Sequence, residues 1–143
     1  MLARILKSAA LGVGLALSGL SLPSALVAAH AEVTEPTVAA VRIHADWCGH
    51  CKTLDPKLDA AIIGTEALPI KHIRIDYTDR DHARALTELR AAGVDTAVLQ
   101  AMGGTIATGR LVLVNLETGA LIAEFRSAAT VEEIRSGLQA AAG

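Results

Sequence analysis

The sequence predicts an α/β fold, a mixed central sheet flanked by helices, and two observations carry that expectation. Apolar, β-branched runs alternate with stretches of helical spacing through the first half of the domain, the order that joins parallel strands through crossovers. Two further β-branched runs near the C-terminus flank a short turn containing Gly119, the signature of an antiparallel hairpin. The chain has 143 residues, about one domain's worth, with 13 Lys+Arg against 15 Asp+Glu. That near-neutral balance, with no basic stripe or aromatic run, argues against a nucleic-acid partner. One Trp, one Tyr and one Phe leave aliphatic residues and Ala to build the core.

The first thirty residues differ from the rest. Met1–Lys7 carries Arg4 and Lys7 and no acid, Ala9–Leu22 is apolar apart from Gly and Ser, and Pro23 ends the run. Small residues follow, and Ala29-His30-Ala31 fits a signal-peptidase site before Glu32. Residues 1–31 therefore read as a secretory signal peptide. The competing reading is an uncleaved membrane anchor, since Ser8–Ala29 is long enough to span a bilayer. The expected location is periplasmic or secreted, which puts both cysteines in an oxidising compartment. Residues 32–37, polar and containing Pro36, read as a linker, and 38–143 as the folded domain.

Each element has its own signal. Val38–His44 is apolar and β-branched enough for a buried strand. A helix is expected from near Cys48 to about Ile63, with Leu54, Leu58, Ala61 and Ile62 at helical spacing, Pro56 as a kink and Gly64 as a stop. Ile70–Asp76 reads as the second strand, with Ile73 and Ile75 alternating with His72 and Arg74. The acids of Asp76–Asp81 form a turn that caps a helix over 82–92; they lack the Gly and terminal Glu of a calcium loop. Val94–Met102 suggests a short extra helix before Gly103 and Gly104. Arg110–Leu116 and Ala120–Phe125 are the hairpin strands. The chain closes on a helix with a capping box, Thr130 with Glu133, and a buried face of Val131, Ile134 and Leu138.

Both cysteines lie in Ala45–Lys52, ADWCGHCK, at a strand-to-helix junction. Cys48 at a helix N-terminus faces unpaired N–H groups and the positive end of the macrodipole, which favour a thiolate. Cys51, one turn on, is within reach to resolve a mixed disulfide. An imidazole at His50 can stabilise the thiolate and so make the pair more oxidising, and Trp47 offers a flat apolar shoulder. Two other readings stand beside this one. A structural disulfide here would close a tiny loop and stabilise little. A metal site needs more ligands than two thiolates; His44 and His50 are near in sequence, which keeps a soft-metal (copper or zinc) carrier open, although no complete Cys/His zinc pattern is present and no metal ligand is assigned.

The hexapeptide WCGHCK resembles the active-site motif of the thioredoxin superfamily, with the Gly-His dipeptide of its disulfide-isomerase domains. Pro56 falls where that family has a helix-kinking proline, and the order of elements from Val38 onward is similar to a thioredoxin-like fold. The resemblance implies that Cys48 and Cys51 are catalytic, that His50 tunes the potential and that Trp47 contacts substrate. Three positions depart from the pattern. Arg42 stands where the family has a buried acid, and it either favours the thiolate or turns outward. Thr108-Gly109 stands where the family has a cis-proline that contacts substrate, so Thr108 and Gly109 are expected at the contact surface without a locked geometry. The segment Asp76–Gly104 is longer than in a minimal thioredoxin, and its excess at Val94–Met102 reads as a lid, a partner surface or a helical elaboration.

The expected function is exchange of disulfides with substrate proteins through the Cys-Gly-His-Cys pair, in the oxidising or isomerising direction. A periplasmic reductase of the cytochrome c maturation type and the soft-metal carrier are the alternatives. No organic cofactor is required, because the dithiol carries two electrons. The expected partners are proteins with thiols or disulfides and a redox partner, soluble or membrane-bound. The chain is expected to be a monomer.

Overall fold

The computed structural model of the protein describes residues 35–143. The expected leader and the start of the expected linker lie outside the described residues. The elements run β1 (Val38–His44), α1 (Gly49–Ile62), β2 (Ile70–Asp76), α2 (His82–Ala91), α3 (Asp95–Ala101), β3 (Arg110–Asn115), β4 (Leu121–Arg126) and α4 (Val131–Ala142). The strands form one mixed sheet in the order β2-β1-β3-β4. β1 pairs parallel with β2 and antiparallel with β3, and β3 pairs antiparallel with β4. This is a thioredoxin-like architecture.

Alternation along the strands divides the core between the two faces of the sheet. On one face Ala39, Val41, Ile43, Val112 and Val114 pack with Ala85 and Leu89 of α2 and Ala97 and Val98 of α3. On the other, Val38, Ala40, Leu111 and Leu113 pack with Leu54 and Leu58 of α1 and Ile134 and Leu138 of α4. β1 is central and covered on both faces, which is why its sequence reads as a continuous apolar run.

α1 begins at Cys48, its N-cap, and contains Pro56, which supplies no N–H to the helix ladder. Gly64 follows at φ +87° and turns the chain away. Asp81 caps α2 by accepting from the Arg84 N–H at 2.9 Å. The capping box of α4 is formed: the Glu133 N–H donates to Thr130 Oγ1 and the Thr130 N–H to Glu133 Oε2. Val131, expected on the buried face, is only partly buried; Ile134 and Leu138 carry that face. The segment Val94–Met102 packs on the sheet, with Val94, Ala97, Val98 and Met102 buried.

The hairpin is displaced by one residue from expectation. β3 stops at Asn115 because Asn115 Oδ1 accepts from the backbone of Glu117 and Thr118 and from Thr118 Oγ1, so its side chain starts the turn. β4 then begins at Leu121, after a register shift at Leu113/Val114.

These pairings place the C-terminal ends of β1, β2 and β4 and the start of β3 at one end of the sheet. The cysteine motif follows β1 there, and loops from β2 and β4 reach it from either side. Among the described residues no helix is long and apolar enough to cross a membrane.

Candidate redox site

Cys48 and Cys51 form a disulfide, with Cα atoms 5.3 Å apart. The preceding turn closes when the Cys48 N–H donates to Ala45 O at 3.0 Å. Cys48 has extended backbone angles and caps α1, its Sγ accepting from the Cys51 N–H at 3.1 Å. A sulfur that already accepts a helix N–H is well placed to carry negative charge once reduced. The two sulfurs differ in access: Cys48 keeps 6% of its surface open and Cys51 1%. Cys51 Sγ lies 3.7 Å from Ile43 O, at the end of β1. The geometry therefore gives an outer sulfur open to attack and an inner one held against the sheet.

Trp47 is 46% exposed beside the pair. Its indole N–H donates to Thr78 O at 3.0 Å, and the Arg80 guanidinium stacks 4.6 Å from the ring centroid. Thr78 also receives the Asp46 N–H on Oγ1 at 3.1 Å. The loop after β2 thus fixes both residues that precede Cys48.

His50, surface-exposed, has Nδ1 2.9 Å from Ser127 Oγ in the loop after β4. Lys57 of α1 holds the same loop, its Nζ donating to Ser127 O at 2.7 Å and Ala129 O at 2.9 Å. Gly109 sits directly opposite at φ +75°, its N–H donating to Ile43 O at 3.3 Å. A Cβ on Gly109 would lie 2.6 Å from His50 Cβ and 3.4 Å from Cys48 Sγ. Only a glycine leaves room for the histidine there. Thr108, half-buried, lines a cleft of about 240 Å³ with His50, Gly109, Arg110, Arg126 and Ser127. Cys48, Cys51, His50, Trp47, Thr108 and Gly109 accordingly gather at one end of the sheet.

Arg42 projects toward α1, where its Nη1 donates to Asp59 at 3.1 Å and lies 3.7 Å from Asp55. Its charge is thus engaged by the outer acids of the helix. Asp55, one turn beyond Cys51, has Oδ2 2.6 Å from His44 Nδ1, and His44 Nε2 lies 3.2 Å from Asp46. Partial desolvation, and secondarily the charge of Arg42, lower the pKa of His72 on β2. Asp55, Lys57, Thr78 and Ser127 are residues around the motif that sequence reasoning missed. Asp55 was accessible in principle as the acid four residues after Cys51, but Ser127 lies 77 residues from His50, with no local signal.

The fold and a redox-type disulfide at a helix N-terminus define a thioredoxin-class domain. The thioredoxin family model matches residues 28–100, about half of the chain, and the chain belongs to the thioredoxin family. Protein disulfide isomerase-like 1-1 of Arabidopsis thaliana is 27% identical over 107 residues, covering 67% of this chain and 21% of that protein. The probable protein disulfide-isomerase ER-60 of Schistosoma mansoni is 37% identical over 54 residues, 36% of this chain and 11% of that one. The chain therefore spans about a fifth or less of the length of these relatives. Among solved structures, StoA from Bacillus subtilis is 12% identical with a TM-score of 0.48, covering 73% of this chain and 84% of that chain.

Proposed function

We propose that the protein is an exported thiol–disulfide oxidoreductase that acts on substrate proteins in the oxidising or isomerising direction. The observation that carries this reading is the asymmetric Cys48–Cys51 disulfide at the N-terminus of α1. In oxidation a substrate thiolate attacks Cys48 Sγ; a substrate–Cys48 bond forms, the Cys48–Cys51 bond breaks and the electron pair leaves on Cys51. A second substrate thiolate then attacks the substrate sulfur of the mixed disulfide and expels Cys48 as thiolate. The substrate has lost two electrons, the pair has gained them, and a redox partner removes them. In isomerisation the reduced Cys48 starts the same exchange on a wrong substrate disulfide.

Helix N–H groups stabilise the Cys48 thiolate as leaving group, and His50 adds to this when protonated. Trp47 and the edge at Thr108-Gly109 offer the contact surface for a substrate polypeptide. The enzyme reading is favoured over a metal carrier because Cys48 and Cys51 are joined as a disulfide whose outer sulfur is the more open of the two.

The test is the reduction potential of the Cys48–Cys51 pair in glutathione buffers, together with trapping of substrate proteins on Cys51→Ser. A potential near about −180 mV, that of disulfide isomerases, with mixed disulfides accumulating on the variant, is the expected result. A potential near about −270 mV, that of thioredoxin, overturns the direction in favour of a reductase. Failure to trap any thiol protein, with stoichiometric zinc or copper retained by the reduced protein, overturns the enzyme reading itself.

A further inference from the structure

We infer that Ser127 is a positioning residue for the redox pair, acting through His50. The inference rests on the reading that His50 tunes the potential. His50 is solvent-exposed, and a free imidazole at such a position samples several rotamers. Gly109, with no Cβ to strike His50 Cβ, leaves the residue room at this place, and two features of this chain then remove the freedom of its ring. Ser127 Oγ meets Nδ1 at 2.9 Å. Lys57 Nζ, on the same helix as His50, grips the carbonyls of Ser127 and Ala129, so the hydroxyl is tied to the helix that carries its partner.

A hydroxyl suits both charge states of the ring. It donates to a bare Nδ1 in one neutral tautomer and accepts from Nδ1–H in the other tautomer and in the imidazolium. The ring therefore keeps its place when Cys48 becomes a thiolate and the imidazolium is the favoured counter-charge. Without Ser127 the ring loses its fixed seat, and its charge is spread over several rotamers rather than held in one place. The Cys48 thiolate is then less stable, and the pair becomes more reducing.

The experiment measures two quantities on Ser127→Ala, Ser127→Thr, Lys57→Met, His50→Ala and the Ser127→Ala/His50→Ala double variant. They are the Cys48 thiolate titration, followed by ultraviolet absorbance, and the equilibrium constant for oxidation of the pair by glutathione disulfide. Ser127→Ala is expected to raise the Cys48 pKa and to increase the constant about three- to tenfold, the range of one net hydrogen bond. Ser127→Thr, which keeps a hydroxyl, stays near wild type, and Lys57→Met moves in the direction of Ser127→Ala. In the His50→Ala background Ser127→Ala has no further effect, a coupling that a merely structural role would not produce. Wild-type values in Ser127→Ala while His50→Ala shifts both, or full additivity in the double variant, overturns the role of Ser127 and leaves that of His50 standing. If His50→Ala is itself silent, the underlying reading of His50 fails and the inference falls with it.

Discussion

At the scale of single residues, Gly109 sets the tightest constraint on the site. Two independent reasons exclude a side chain there: a positive φ of +75°, and the 2.6 Å approach of a would-be Cβ to His50. Gly109→Ala is expected to lower stability by about 1–3 kcal/mol through backbone strain and overpacking. It should also push His50 from its seat and slow disulfide exchange. Urea denaturation reads the first effect and exchange with a dithiol the second; an unchanged midpoint and an unchanged rate would show that the loop simply yields. Arg42 is the contrasting case. From sequence it could face the thiols or turn away, and the choice depended on acids seventeen and thirteen positions later. Asp59 and Asp55 engage its charge on the flank of α1, and Asp55 is shared with His44.

At the scale of elements, α4 carries an instructive conflict. Replacing an interior helical glycine by alanine usually stabilises a helix by about 0.5–1 kcal/mol. At Gly137, however, a Cβ would collide with the ring of Phe125 on β4. Overpacking of about 1–3 kcal/mol exceeds the propensity gain, so Gly137→Ala is expected to shift the urea midpoint downward. An upward shift would mean that the Phe125 ring moves aside without cost. The elements themselves were legible because most carry a periodic or capping signal. β1 and β2 have the bounds read from their residues, and α2 starts at the capped position after Asp81. The hairpin slipped by one residue because an asparagine side chain, rather than the glycine, set where β3 ends. The site was legible only where it is local. WCGHCK announces itself within six residues, whereas the partners of its side chains, Thr78 and Ser127, are brought there by tertiary packing of polar residues with no period of their own.

For the whole molecule, the redox state and the stability of the fold are linked by a closed cycle. If the Cys48–Cys51 disulfide is oxidising, the folded protein favours the reduced pair more than the unfolded chain does. A two-residue loop constrains the unfolded chain only weakly, so little stability is lost when the bond opens. The reduced protein is therefore expected to melt above the oxidised one, by roughly 4–8 °C for each 1 kcal/mol in a domain of this size. Calorimetry on both states checks this, and the reverse order would agree with a reductase.

The active-site turn hangs between two loops that continue the outermost strands. Thr78, past the end of β2, holds Trp47 on one side, and Ser127, past the end of β4, holds His50 on the other. The motif is in this respect a bridge with one pier on each bank of the sheet. The orientation of the indole and of the imidazole about the disulfide therefore depends on where the two edge strands end. The surroundings of the dithiol are thus set in part from the two margins of the sheet.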